Sequence, residues 1–476
     1  APVTSLCKDT LYKSTASMSV AASFQVLPRQ QLLLRGEARG GFLVRSLPAK
    51  TIDHSHGQPR GRHQSMRSRA AATSAFCIWA TARWGARAKS SYRCKSERNI
   101  ALVETAEASL VNDAQPQLPQ MQEGDFVQLG DLLVPRVGCG TISWSAETEE
   151  DEFRLRGLAL ETAASNTLLD TAERYGTELG PPFDRWPFGT HGRCEEILGG
   201  ALHDQRGIIA TKFTPTPWNS SRESIVSACI KSAKRLGVET IDLYQIHHPD
   251  IVQPLRSFGL ANPQDDQLWE GLADCVERGL VRNVGVCNYG PTLLRRAQDA
   301  LSRRGVRLAT NQINFSLLYQ RQGIMPTLAA CAEMNIGVLA YWPLAMGLLS
   351  GASELSAPGE RGKRLQQYLR GGGDIPTHGI QPLMSVVKDI AASRGKTCSQ
   401  VSLNWIICKG AVPIPGARTT SRYREYMGAL GWRLTSEEVA RLDQASEALP
   451  FDFEGAGFRF SNAKFVGYGV ERWYLN

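Results

Sequence analysis

The sequence predicts an α/β protein built as a closed parallel (β/α)8 barrel of the TIM type, preceded by a disordered N-terminal extension. Three observations predict it. Short apolar runs rich in β-branched and aromatic residues alternate with amphipathic stretches from Asp125 to about Leu449. Eight such runs occur, the number a closed barrel needs. The glycine-rich turn that begins an open, doubly wound dinucleotide-binding sheet is missing: GCGTIS carries Gly138 and Gly140, but Ser143 stands where the third glycine belongs.

In chain order the runs are VPRVGCG from Val134, TLLDTA from Thr167, GIIATKF from Gly207 and IDLYQIH from Ile241. RNVGVCN from Arg282, RLATNQINF from Arg307, IGVLAYWPL from Ile336 and AVPIPGA from Ala411 complete the set. None alternates with polar residues, as expected of strands buried on both faces. The stretches between them read as helices with marked ends. SSRESIVSACIKSAKRLG opens with Ser220 and Glu223 in capping-box spacing, presents Ile225, Cys229 and Leu236 on one face, and stops at Gly237. GPTLLRRAQDALSRRG places Pro291 in a first turn and ends at Gly305, and QLWEGLADCVERG ends at Gly279.

The net charge of +8 misleads as an average. Residues 1–100 hold 17 Lys and Arg against 4 Asp and Glu, whereas the remaining chain holds 37 against 42. The body is therefore mildly acidic, which argues against a nucleic-acid-binding core. The basic segment, rich in Ser, Ala and Arg, has the composition of an organelle transit peptide, with a basic disordered tail as the alternative. Residues 101–123 are acidic and rich in Pro and Gln, as expected of a linker. The barrel is assigned to 124–449 and an aromatic tail to 450–476. The longest apolar runs, such as SAFCIWA, are far below the roughly 20 residues that span a bilayer. Eleven cysteines show no CxxC pair, and eight of them, from Cys139 to Cys408, fall in the strands and helices of the body. They read as small buried hydrophobes in a reducing compartment. No His or Cys spacing suggests a metal site.

Side chains just beyond the carboxyl ends of barrel strands converge on one mouth. The second run delivers Asp170 and Tyr175, the third Lys212 and the fourth His247. Here the chain resembles the aldo-keto reductase family. DTAERYG resembles its Asp and Tyr segment, ATKF its Lys and DLYQIHHPD its His. VGVCNY, NQINFSLLY, LAYWPLAMGLLSG and NWIICKGAVPIPGARTTSRYREYMGAL resemble its cofactor-side segments, in order, from Phe126 to Leu442. Plastid members look nearest.

The resemblance implies reduction of an aldehyde or ketone by hydride from NADPH, with Tyr175 as proton donor. The chemistry asks for these residue types. A free phenol titrates near ~10. An ammonium at ~4 Å contributes on the order of 4 kcal/mol at an effective dielectric of ~20, or about 3 pKa units before desolvation takes some back. Lys212 is thus expected to make the phenol more acidic, Asp170 to keep Lys212 charged and in place, and His247 to hold the carbonyl oxygen.

The same resemblance implies NADP laid across the mouth without a Rossmann turn. Asn288 and Gln312 are the expected partners of the nicotinamide amide, Tyr341 its stacking face, and Thr141 a hydroxyl at the nicotinamide end. Leu344 and Gly416 fall in the matching cofactor-side segments. Arg418 and Arg422 suit a 2′-phosphate, which favours NADP over NAD, and Glu425 matches an adenine-side acid. The chain departs from the family pattern at four places. Cys287 replaces the usual Ser, Trp342 a pyrophosphate-binding Ser, His248 an aromatic and Tyr426 a frequent Asn.

The insertion GTELGPPFDRWPFGTHGRCEE after Tyr175 offers Trp186 and Phe188 as pocket or rim residues. The aromatic tail is expected to pack on the barrel wall, with a flap over the mouth or a partner-binding arm as alternatives. The resulting reading is a plastid NADP-dependent carbonyl reductase acting on a small molecule, with mitochondrion or cytoplasm as other locations. A cofactor-binding regulatory or assembly subunit on the same barrel is the reading from another class.

Overall fold

The structure, a computed structural model, describes residues 117–453 apart from 145, 147, 177–192, 204, 217, 251–263, 321–322, 354–358, 374 and 452. The transit-like segment, most of the linker, Trp186 and Phe188, and the tail beyond Phe453 lie outside the described residues.

The body starts with an antiparallel hairpin, β1 (Phe126–Leu129) and β2 (Leu132–Pro135). Eight parallel strands follow: β3 (Cys139–Gly140), β4 (Leu168–Asp170), β5 (Ile208–Phe213), β6 (Ile241–Ile246), β7 (Val281–Cys287), β8 (Leu308–Asn314), β9 (Gly337–Tyr341) and β10 (Val412–Pro413). They form one sheet in strict chain order, and each falls inside one of the eight apolar runs, except that β7 begins one residue earlier, at Val281. Helices α1 (Glu149–Ala164), α2 (Arg193–Ala201), α3 (Arg222–Leu236), α4 (Asp265–Glu277), α5 (Pro291–Ser302) and α6 (Ile324–Glu333) cross between successive strands from β3 to β9. After β9 come α7 (Gly359–Arg370), α8 (Gln381–Arg394) and α9 (Cys398–Cys408), and after β10 come α10 (Thr420–Met427) and α11 (Ser436–Glu447).

The sheet closes on itself. Gly138 N–H donates to Pro413 O at 2.9 Å and Gly140 N–H to Pro415 O at 3.0 Å, and Gly140 bridges Gly416. Proline has no N–H, so Pro413 and Pro415 return no bond across this seam. Ile414, between them, faces the other way and donates to Ala340 O at 3.0 Å. Beyond the seam, the Trp144 indole N–H donates to Ala417 O at 2.6 Å.

The strand period of two sorts the interior into layers. Leu168, Ala210, Leu243, Leu339 and Val412 cluster with Leu129, Leu132 and Val134 of the hairpin, which therefore covers the amino-terminal end of the barrel. Two residues further along their strands stand Asp170, Lys212 and Gln245, all buried. Gly285 of β7 belongs to this crowded interior: a Cβ there would lie 2.2 Å from Thr310 Oγ1. The larger apolar core fills the space between sheet and helices.

One helix start differs from expectation. The N-cap of α3 is Ser221, whose hydroxyl accepts Ser224 N–H, and not Ser220. Ser220 is buried behind the turn that pairs Thr216 with Asn219, so the helix begins one residue later. Glu223 then serves only as an acid in the first turn. Gly237 ends the helix with φ 68°, as its position implied. Phe451 and Phe453, the first two aromatics of the tail, both pack against Tyr368 of α7, Phe453 edge-on at 5.0 Å. The eight described cysteines are free thiols, six of them buried. Among the described residues no helix is long and apolar enough to cross a membrane.

Candidate active site

The mouth is assembled from adjacent staves. Asp170 is the last residue of β4, and Lys212 lies one residue before the end of β5. Ala210 and not Lys212 is the register partner of Asp170, so the long lysine side chain starts a step higher than the carboxylate. A turn after β4 carries Tyr175, and His247 follows β6 directly.

All three donors of the Lys212 ammonium are used. It reaches Asp170 Oδ2 at 2.6 Å, Thr171 O at 2.7 Å and Tyr175 OH at 3.3 Å. Lys212 has no solvent exposure and Asp170 2%, so this ion pair works at low local dielectric. The Tyr175 ring is partly exposed and meets the His247 ring edge-on at 5.8 Å. His247 Nδ1 lies 3.2 Å from Thr214 Oγ1. A Thr214 hydroxyl donating to Nδ1 leaves the imidazole proton on Nε2.

Burial acts against the charge on Lys212, but the Asp170 carboxylate overcomes it and holds the ammonium above the ordinary lysine range. The Tyr175 phenol behaves differently from the sequence expectation. Burial raises it, Lys212 lowers it by less, Asp170 adds to the rise, and the phenol is pushed up to about 12. The expected acidification by Lys212 is present, yet desolvation and the neighbouring carboxylate outweigh it. Burial, with the positive charge of Lys212 beside it, keeps the His247 imidazole neutral well below its usual titration range.

The cofactor-side residues divide into two groups. Thr141, Asn288, Gln312 and Tyr341 join the four above in one hydrogen-bonded cluster. Thr141 Oγ1 donates to Asp170 O at 3.0 Å, and Gln312 Nε2 donates to Asp170 Oδ1 at 2.8 Å. Asn288 adopts φ 63°, donates to His247 O at 3.1 Å and accepts the Tyr341 hydroxyl at 2.9 Å. Cys287 is buried, with its thiol 3.9 Å from Gln245 Oε1 inside the barrel. Its replacement of a serine thus leaves a weak contact in the interior layer. Trp342 has φ 51° and stands edge-on to Tyr341 at 5.6 Å, while Leu344 is buried.

The second group surrounds the start of α10. Thr419 caps the helix through Arg422 N–H, and Arg422 pairs with Glu425 at 2.6 Å. Arg418 and Gly416 are exposed nearby. A Cβ on Gly416 would meet nothing closer than Ser143 Oγ at 3.5 Å, so neither packing nor backbone demands glycine there. Bare backbone, two arginines and a helix N-terminus suit a phosphorylated molecule lying against this edge.

Two neighbours, Glu173 and Thr214, escaped the sequence reading. Glu173 is buried and accepts Thr214 N–H at 2.8 Å, and Thr214 also meets the His247 ring. Thr214 lies two residues after Lys212, and strand alternation would have pointed to it. His248 is buried and its Nδ1 lies 2.9 Å from Pro249 O. Among the described residues no group of three or more His, Cys, Asp or Glu is arranged to hold a metal ion.

Comparison with known proteins adds to this geometry. The profile of the Aldo/keto reductase family matches residues 136–447. The chloroplastic pyridoxal reductase of Arabidopsis thaliana is 33% identical over 350 residues, covering 70% of this chain and 89% of its own. An aldo-keto reductase of Schizosaccharomyces pombe, yakc, whose name specifies NADP(+), is 26% identical over 67% of this chain and 91% of its own. A thermostable aldo-keto reductase solved with the inhibitor epalrestat shares the fold, with TM-score 0.50 and 24% identity over 67% of this chain and 99% of its own.

Proposed function

The chain belongs to the aldo/keto reductase family, and from that premise we propose that it reduces an aldehyde or ketone to the alcohol with NADPH, Tyr175 supplying the proton. Bound NADPH supplies a hydride to the carbonyl carbon. The carbonyl oxygen then needs one proton, and Tyr175, protonated throughout the neutral range, holds it. The phenolate left behind faces the Lys212 ammonium 3.3 Å away, and Asp170 keeps that ammonium charged. His247, neutral and beside Tyr175, orients the carbonyl oxygen by donating from Nε2. The single observation that carries the reading is Lys212 bridging Asp170 and Tyr175 in one buried hydrogen-bonded line.

Asn288, Gln312 and Tyr341 would hold the nicotinamide end, Thr141 and Leu344 would border it, and Gly416, Arg418, Arg422 and Glu425 would hold the adenosine end. An arginine fork engages the 2′-phosphate, so NADPH is the cofactor in preference to NADH. Planar aromatic aldehydes head the substrate class, supported by the relative named a pyridoxal reductase. The basic leader and that chloroplastic relative support import into a plastid.

The test is a titration with NADPH followed by NADPH oxidation across a panel of aromatic and aliphatic aldehydes, pyridoxal included. Aldehyde-dependent oxidation is expected. Tight NADPH binding with no turnover across the panel would instead favour the regulatory reading.

A further inference from the structure

We infer that Gln312 is a positioning residue for Tyr175, acting through Asp170 and Lys212 rather than only on the nicotinamide; this rests on the reductase reading above. A carboxylate only accepts hydrogen bonds, so the Gln312 amide nitrogen, and not its oxygen, must face Asp170 Oδ1 at 2.8 Å. Lys212 occupies the other oxygen at 2.6 Å. The two donors arrive from β8 and β5, and together they fix the plane of the carboxylate. Gln312 is itself held, since its carbonyl accepts Asn288 N–H at 2.9 Å in the ladder between β7 and β8.

The line Gln312–Asp170–Lys212–Tyr175 is buried at its first three members. Its last link, 3.3 Å from Lys212 to the phenol, is the longest. Without the Gln312 donor, Oδ1 becomes a buried acceptor with no partner from β8, and the carboxylate turns toward whatever donor it can find. Lys212 follows its counter-ion, and the distance to Tyr175 grows first. A residue that serves only the nicotinamide amide leaves this line untouched when it is replaced. Asn288, bonded to His247 O and Tyr341, is the natural comparison.

Two measurements decide it. The first follows kcat in H2O and in D2O, with NADPH affinity from protein fluorescence, in the native chain, Gln312→Leu and Asn288→Ala. Both variants should bind NADPH more weakly and turn over more slowly. Only Gln312→Leu should also raise the solvent isotope effect on kcat, because transfer of the Tyr175 proton slows relative to the other steps. A solvent isotope effect in Gln312→Leu identical to that of the native chain would overturn the inference. The second needs no turnover: unfolding free energies of the cofactor-free Gln312→Leu, Asp170→Asn and double variants. Non-additive losses are expected, and additive ones overturn the inference even if the native chain reduces no aldehyde. Absence of turnover in the native chain alone would count against the reductase reading, leaving the unfolding cycle to judge the link between Gln312 and Asp170.

Discussion

Lys212 and Asp170 meet at 2.6 Å with side-chain exposures of 0% and 4%. A pair this deep is costly to break from one side, because the survivor keeps its charge and loses its partner. Lys212→Met should therefore destabilise the chain by about 3–5 kcal/mol. Adding Asp170→Asn should return part of that loss by removing the stranded carboxylate. Urea unfolding of the two variants checks this; a double variant no more stable than Lys212→Met would contradict it.

Tyr175→Phe removes one hydroxyl from the edge of the buried line and leaves the ring against His247. Carbonyl reduction should fall by about 100-fold or more, the lower range of a lost general acid. NADPH affinity should stay within about twofold, because none of the expected cofactor partners bonds to the phenol. Comparable kcat in both proteins would remove Tyr175 from the chemistry.

The Arg422 guanidinium already pairs with Glu425, but both are partly exposed and the pair can be redirected. Arg422→Ala should weaken NADPH binding by about tenfold, the worth of a charge-assisted bond to phosphate. NADH binding should hardly change, and the NADPH difference should shrink as salt rises. Equal losses for the two cofactors would place the 2′-phosphate elsewhere.

Glu173 gives a prediction about pH. Burial raises its carboxyl from 4.5 to about 7, opposed by the bond from Thr214 N–H. A carboxyl raised in the fold binds more protons there than in the unfolded chain, so its neutral form favours folding at low pH. That contribution is lost as pH rises from about 4.5 to 7, up to roughly 3 kcal/mol. Glu173→Gln keeps an acceptor for Thr214 without a charge. Its stability relative to the native chain should rise across that window, and a constant difference from pH 4.5 to 7.5 would refute the assignment.

Much of this was legible in the chain. Eight apolar runs became eight strands in order, because fully buried parallel strands leave an unbroken hydrophobic signature. Asp170, Tyr175, Lys212 and His247 were readable because a barrel sends strand-end residues to one place. What sequence does not carry is distance and competing contact. Ser220 and Ser221 are equivalent as letters, and only the Thr216–Asn219 turn chooses between them. Lys212 was expected to make Tyr175 more acidic, but the balance with burial depends on depth. Gln312 gave no sign of touching Asp170, since 142 residues separate them and only closure of the sheet brings them together. The pairing of Arg422 with Glu425 lay within three residues and could have been foreseen from helical spacing.

The seam between β3 and β10 carries a last consequence. Because Pro413 and Pro415 accept but never donate there, this joint has about half the bonds of an ordinary parallel ladder, and it is where the cylinder would come undone first. Its outer lip runs from Thr141 on one side to Arg418 on the other, the two ends of the expected dinucleotide track. A molecule gripping both lips would act as a rivet, so occupancy and resistance to unfolding should rise together, and amide deuteration at Gly138 and Gly140 should slow most of all when the track is filled.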